Sequence, residues 1–247
     1  MTTADFLLID NSNSFTKFAL STRKEVGHPR KLATRTITPD ALKNVLVGWQ
    51  WETVVLCSVV PEAGERLVEY FDPRPVLRVT AKLKLGVGID YPKPATIGAD
   101  RLANAAAAWA RFGGPVIVVD FGTAVSFDVV SAEGKYVGGV IAPGLEAMTH
   151  YLHTRTALLP EISLIEPPSA IGKNTKHAML SGAVHGYRGL VREILREVGD
   201  EMGKPRKLAV VATGGYAELI AAKLPEIRKV VPELTLDGLR IIGTLNR

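Results

Sequence analysis

Residues 6–20 read FLLIDNSNSFTKFAL and residues 116–130 read VIVVDFGTAVSFDVV. Each stretch is an apolar strand ending on an aspartate, then a short polar turn, then a second strand; Asp120 stands 110 positions after Asp10. An apolar run bounded by Asn, Asp, Ser and Gly is the pattern of a strand entering a tight turn. Successive backbone N–H groups in such a turn, with hydroxyls beside them, form a concave surface that suits an anion. Two copies in one chain predict two related half-domains clamping one nucleotide in a cleft between them, an arrangement suited to phosphoryl transfer.

The elements around these stretches predict an α/β fold. Residues 6–10 and 15–20 read as one hairpin, and 53–59 (TVVLCSV) as a strand buried on both faces. A Pro- and Gly-rich stretch covers 84–98, and a helix follows Asp100 and stops at Gly113-Gly114. The second hairpin covers 116–130 and runs on into YVGGVIAPG. Helical patterns occupy 145–159, closed by Pro160, and about 174–197; KLAVVATGG then reads as a strand entering a Gly turn, with AELIAAKL as a helix behind it. Strands alternate with helices in both halves. The repeated hairpin predicts a boundary near Gly113-Gly114, giving domains 1–113 and 114–247.

Bulk composition excludes several classes. The 247 residues are 47% hydrophobic and 22% charged, the balance of a globular chain with ample core material. The net charge of +5 reads as a slight lysine and arginine excess on a solvated surface, or more sharply as attraction for small anionic substrates such as ATP. No dense basic run interleaves with aromatics, and Lys204, Arg206 and Lys207 flank a turn, so no nucleic-acid partner is expected. One cysteine, Cys57, in an apolar strand, leaves no internal disulfide. No basic region precedes the first apolar run, and no apolar stretch approaches the roughly 20 residues that span a bilayer, so a cytoplasmic protein without membrane contact is expected.

In the first turn, Asp10 suits a hydrated Mg²⁺, Asn11, Ser12, Asn13 and Ser14 offer N–H and side-chain groups to phosphate oxygens, and Lys17 offers charge to the β- or γ-phosphate. In the second, Gly122 permits close backbone approach and Thr123 adds a hydroxyl. Asp100 reads either as a helix N-cap or as the base that takes a hydroxyl proton while a phosphoryl group arrives. Arg101 can hold a carboxylate or phosphate in a forked pair, and Tyr91 can add a hydroxyl to the same pocket. Thr213-Gly214-Gly215 leaves room for a flat ring such as adenine. His150 and His153 lie three apart on one helix, without a third metal ligand in view.

The chain resembles the type III pantothenate kinase family. The likeness is carried by the Asp10 hairpin, CSVVPE, YPKPATIGADRLANAAAA, DFGTAVSFDVV, GGVIAPGLEAM, TALLP, IGKNTKHAMLSGAVHGY and VVATGG, in family order over nearly the whole chain. The resemblance implies two ribonuclease-H-like domains of the acetate and sugar kinase/Hsp70/actin superfamily, an actin-like ATPase fold. It implies ATP-dependent phosphorylation of pantothenate, the first step of coenzyme A biosynthesis. It assigns Mg-ATP binding to Asp10, Asn11, Ser12, Asn13, Ser14, Phe15, Thr16 and Lys17 and to Thr123. It assigns pantothenate binding to Tyr91, Gly98, Ala99, Asp100 and Arg101, with Asp100 the proton acceptor, and a monovalent cation (K⁺ or NH₄⁺) to Asp120. Thr175 would reach the substrate site of the partner subunit in a homodimer. The family's first turn usually reads Asp-x-Gly-Asn-Thr, whereas this chain has Ser12 in place of the glycine and Ser14 in place of the threonine. A Cβ at the glycine position is costly if the backbone there needs φ > 0. Two other readings are a kinase for another small carboxylate-bearing alcohol and a non-catalytic nucleotide-binding accessory protein of transcription.

Overall fold

In β1 (Ala4–Asn11) every residue from Phe6 onward is buried, so the strand is covered on both faces. That matches its unbroken apolar run, since a strand with one wet face alternates polar and apolar residues. The structure, a computed structural model, describes residues 3–247. The chain divides into two compact units. One holds the residues up to Gly113 with Glu133–Val137 and Glu233–Arg247; the other holds Gly114–Ala132 and Gly138–Pro232.

In the first unit, β1 is followed by β2 (Phe15–Ser21), β3 (Arg30–Ala33), α1 (Pro39–Val45), β4 (Trp51–Ser58), α2 (Pro61–Phe71), β5 (Val76–Arg78), the short β6 (Gly88–Ile89) and α3 (Ala99–Phe112). The main sheet has the order β3-β2-β1-β4-β5. β2 runs antiparallel to β1 and to β3, and β4 and β5 run parallel to β1. Leu7, Ile9, Val54 and Leu56 pack on Leu42 of α1 and on Ala63, Leu67 and Phe71 of α2.

The second unit contains β7 (Val116–Phe121), β8 (Ala124–Val130), most of β9 (Lys135–Pro143), α4 (Leu145–Arg155), α5 (Thr175–Glu201), β10 (Ala209–Gly214), α6 (Ala217–Ala221) and β11 (Lys229–Val230). Its strands lie in the order β9-β8-β7-β10-β11. Here too the first two strands are antiparallel, and the fourth and fifth run parallel to the first. Counted from its own first strand, each unit therefore has the order 3-2-1-4-5, which is that of a ribonuclease-H-like domain. Val184, Tyr187 and Val191 of α5 cover Ile117, Val119 and Phe127 of this sheet. Arg188 of α5, 4% exposed, makes two bonds to the Glu166 carboxylate (3.1 and 2.7 Å) and donates to the carbonyls of Leu219 and Ile220. With Lys223 it holds the Glu166 carboxyl down at about 2. Among the described residues, no helix is long and apolar enough to cross a membrane.

The last stretch of the chain differs from the expected 114–247 grouping. α7 (Leu234–Leu245) belongs with the first unit, packed on α3. The physical reason is a close helix crossing. α3 presents the small residues Ala103, Ala105, Ala106, Ala107 and Ala108, all buried, and a Cβ on Gly238 of α7 would overlap the Ala103 carbonyl. The crossing is tied by the Thr235 hydroxyl donating to Asn104 Oδ1 at 2.8 Å, and by Arg111 and Arg240 converging on buried Asp237. On the sheet side, Gly243 leaves room for Phe6 and Val55. α3 and α7 thus cover the face of the sheet opposite α1 and α2. Gly238→Ala forces these backbones apart and is expected to cost about 2 kcal/mol or more, read as a lowered urea midpoint. An unchanged midpoint would show that the crossing tolerates the methyl.

Candidate active site

The register of β1 and β2 sets Asp10 opposite Lys17 and Asn11 opposite Thr16. Side chains alternate faces along a strand, and directly opposed residues share a face. Asp10 and Lys17 therefore lie on the face covered by α3 and α7, and Asn11 and Thr16 on the face covered by α1 and α2. Asn11 Nδ2 donates to Thr16 Oγ1 at 2.7 Å, and both residues are fully buried. Of the eight positions from Asp10 to Lys17 expected at ATP, these two commit their side chains to the scaffold. Asn13, Ser14 and Phe15 are exposed, and Ser12 and Lys17 half-buried.

Ser12 carries its Cβ without strain. Among the described residues Lys204 alone, apart from glycines, has a positive φ. The Ser12 N–H donates to the Phe15 carbonyl at 3.1 Å, closing the turn, and its hydroxyl donates to Asp10 Oδ1 at 3.0 Å. Lys17 Nζ stands 3.4 Å from Glu233 Oε2, in the residue that precedes α7.

Gly98 is the N-cap of α3, which puts Asp100 in the first helical turn. Exposed N–H groups and the helix dipole favour a carboxylate there. The Arg101 N–H donates to Asp100 Oδ1 at 2.8 Å. Burial nonetheless wins: it lifts the Asp100 carboxyl above its ordinary 3.8, against that amide and the Arg101 charge. A carboxylate with a raised pKa is a stronger proton acceptor. A Cβ on Gly98 would come within 2.5 Å of Asp100 Oδ1, so the glycine keeps the carboxylate in place.

Tyr136, at the start of β9 and within the first unit, joins two of the expected substrate residues. Its ring lies 5.7 Å from the Arg101 guanidinium and meets the Tyr91 ring edge-on at 6.1 Å. Tyr136 is buried, Tyr91 37% exposed. The sequence carries no signal that singles out Tyr136, because a buried tyrosine in an apolar strand reads as core.

The second unit builds its turn differently. Asp120 pairs across with Ser126 of β8 and Thr213 of β10. The Gly122 N–H donates to the Ala124 carbonyl at 3.0 Å, leaving Thr123 exposed at the tip. Behind the turn, a Cβ on Gly144 would overlap the Gly122 and Thr123 carbonyls. Gly214 has φ +94°, and a Cβ there would fall 2.6 Å from the Phe121 backbone. Thr175 is the first residue of α5, exposed, beside Asn174, whose side chain caps the helix by accepting the His177 N–H at 2.9 Å. The expected site residues thus fall in two groups: Asp10–Lys17, Tyr91 and Gly98–Arg101 in the first unit, and Asp120, Thr123 and Thr175 in the second.

Known proteins bear on both fold and family. A solved structure of a Baf family transcriptional activator from Campylobacter jejuni matches with a TM-score of 0.63 and 18% identity, covering 96% of each chain. An inorganic polyphosphate/ATP-glucomannokinase from Arthrobacter matches with a TM-score of 0.53 and 16% identity, over 99% of this chain and 100% of the other. At such identities the likeness concerns the fold alone, the actin-like ATPase fold of two ribonuclease-H-like domains. A type III pantothenate kinase of Akkermansia muciniphila is 51% identical over 98% of this chain and 99% of its own length. One from Methylacidiphilum infernorum is 41% identical over 97% of this chain and 88% of its own. The sequence pattern of type III pantothenate kinases matches residues 6–197, and the chain belongs to that family.

Proposed function

We propose that this protein transfers the γ-phosphoryl group of ATP to the primary hydroxyl of pantothenate, giving 4'-phosphopantothenate in the first step of coenzyme A biosynthesis. The observation that carries the reading is Asp100, a carboxylate with a raised pKa at the start of α3, next in sequence to a guanidinium. The chemistry needs one acceptor for the substrate's hydroxyl proton and one cation for its carboxylate.

Asp100 aligns the hydroxyl and accepts its proton late, as a loose transition state requires. Arg101 holds the pantothenate carboxylate, Tyr91 adds a hydroxyl, and the Gly98-Ala99 backbone lines the site. The first turn, Asp10 through Lys17, and Thr123 serve the ATP phosphates. Asn11 and Thr16 act there by shaping the turn, because their side chains are buried. The Asp10 carboxylate and Ser12 hydroxyl are hard oxygen donors beside an exposed turn and suit a divalent ion. Mg²⁺, when bound with ATP, supplies neutralising charge. Asp120, with the Ser126 and Thr213 hydroxyl residues opposite it, offers oxygen donors suited to K⁺ or NH₄⁺. Ser12, where the family usually has glycine, has an unstrained backbone, which is compatible with a working phosphate turn.

Dimerisation belongs to the same proposal, with Thr175 completing the pantothenate site of a second copy. Its support is an exposed apolar set, Ile141, Met148 and Tyr151, together with Ala178, Gly182 and Gly186 spaced four apart on an exposed face of α5. A Cβ on Gly182 or Gly186 meets nothing within 4 Å, so another helix has room to approach. The cytoplasm is the proposed compartment.

Four measurements test this reading. Release of ADP from Mg-ATP is expected to depend on pantothenate and to be faster in K⁺ than in Na⁺. Absence of pantothenate dependence overturns the substrate, and equal rates in the two salts remove the cation from Asp120. Asp100→Asn is expected to lower kcat by about 10²–10⁴-fold while leaving the KM for ATP near wild type. In the wild type, kcat/KM falls as pH drops through a value above the ordinary 3.8, because protonated Asp100 accepts nothing; turnover near wild type in the variant removes Asp100 from the base role. Light scattering is expected to give twice the 26.6 kDa chain mass, and Gly186→Arg to give monomers with reduced turnover. A monomeric, fully active wild type would refute the shared site.

A further inference from the structure

Beneath the first turn lies a line of buried polar groups that ends on the turn's own backbone. Ser58, at the end of β4, has its hydroxyl 2.7 Å from Asn11 Oδ1. Asn11 Nδ2 is 2.7 Å from Thr16 Oγ1, Thr16 Oγ1 is 3.0 Å from Thr34 Oγ1, and Thr34 Oγ1 is 2.6 Å from the Ser12 carbonyl. Asn11 and Thr16 are 0% exposed and Thr34 4%.

Proton counting gives the line a direction. A carbonyl only accepts, so the single proton of Thr34 goes to Ser12, and Thr16 must then donate to Thr34. The Asn11 amide must in turn donate to Thr16, and its oxygen accepts from Ser58, whose hydroxyl also lies 3.1 Å from the Val60 carbonyl. Turning the Asn11 amide over would leave one of the two Thr16 contacts without a proton. Each group in such a line polarises the next. The start is guarded by sequence as well: a Cβ on Gly64 in α2 would come within 2.7 Å of Ser58 Oγ.

The end of the line bears on phosphate binding. A trans peptide unit is planar, so its C=O and N–H point in opposite directions. Thr34 pulls the Ser12 carbonyl inward and thereby aims the Asn13 N–H outward at the exposed tip. Thr34 also donates its own N–H to the Ser14 carbonyl at 3.1 Å. One buried residue therefore holds two carbonyls of the three-residue turn, on the side away from solvent. The Asn13 N–H has no hydrogen-bond partner among the described residues.

We propose that Thr34 is a positioning residue for nucleotide binding: through the Ser12 carbonyl it presents the Asn13 N–H to a phosphate oxygen. This rests on the reading that the first turn holds the ATP phosphates. Thr34→Val removes the hydroxyl at nearly constant shape and strands the Ser12 carbonyl. It is expected to weaken Mg-ADP binding and raise the KM for ATP about tenfold, with the KM for pantothenate unchanged. Thr34→Ser restores the hydroxyl and is expected to recover most of the ATP affinity. Calorimetry with Mg-ADP reads the effect without turnover, so a failure of the pantothenate assay leaves this test standing. A Thr34→Val protein that is folded by circular dichroism and binds Mg-ADP as tightly as wild type overturns the inference. So does a Thr34→Ser protein as weak as the valine variant, or a wild type that binds no Mg-ADP.

Discussion

A slip of β2 by one residue against β1 would break both pairs at the end of the first hairpin. Thr16 would turn toward α3 and α7, and Lys17 would be forced among the apolar groups under α1 and α2. Such a slip inverts every side chain of a strand. The cost is high because the Thr16 hydroxyl meets Asn11 Nδ2 and Thr34 Oγ1, both in buried residues, only in the observed register. Leaving any of these groups unpaired in the interior costs about 1–3 kcal/mol each. The placement of Asp10, of Lys17 and of the turn between them depends on that buried polar lock.

The two halves of the duplication solve the same problem by different means. The first hairpin has a three-residue turn whose carbonyls are held from below by a threonine. The second has a two-residue turn held by closeness: Gly144 packs against the Gly122 and Thr123 carbonyls, and Gly214 against Phe121, where no side chain fits. Polar locking tolerates Ser12 where the family usually has glycine, because its side chain points to Asp10 and its backbone is unstrained. Steric locking tolerates no such change at Gly144 or Gly214.

Asp100 gains its character from packing at a distance. The alanine run of α3 lets α7 approach until Gly238 touches the Ala103 carbonyl, which fixes the helix that carries the acid. Gly98 keeps the carboxylate in place, and the surrounding protein raises its pKa although an amide and a guanidinium oppose the shift. Tyr136 then joins Arg101 to Tyr91 in one patch of polar and aromatic groups.

Much of this was legible in the chain because the signals are local. Apolar runs ending on Asp10 and Asp120, turn residues after them, and Gly98 ahead of Ala99–Phe112 each report a conformation that neighbouring residues decide. Strand alternation even implies that Asp10 and Asn11 face opposite ways. Which of them faces the core was not legible, because that depends on register against β2 and β4 and on partners 18 and 47 residues away. The return of α7 to the first unit, the contact of Tyr136 with Arg101 and the grip of Thr34 on the turn were hidden for the same reason. The sequence by itself determined the strands, the turns, the duplicated order and the chemical groups available, since these follow from propensity and spacing. Tertiary structure alone decided which polar groups are spent inside the fold and which are left for a ligand, because a buried donor or acceptor must find its partner wherever the folded chain brings one.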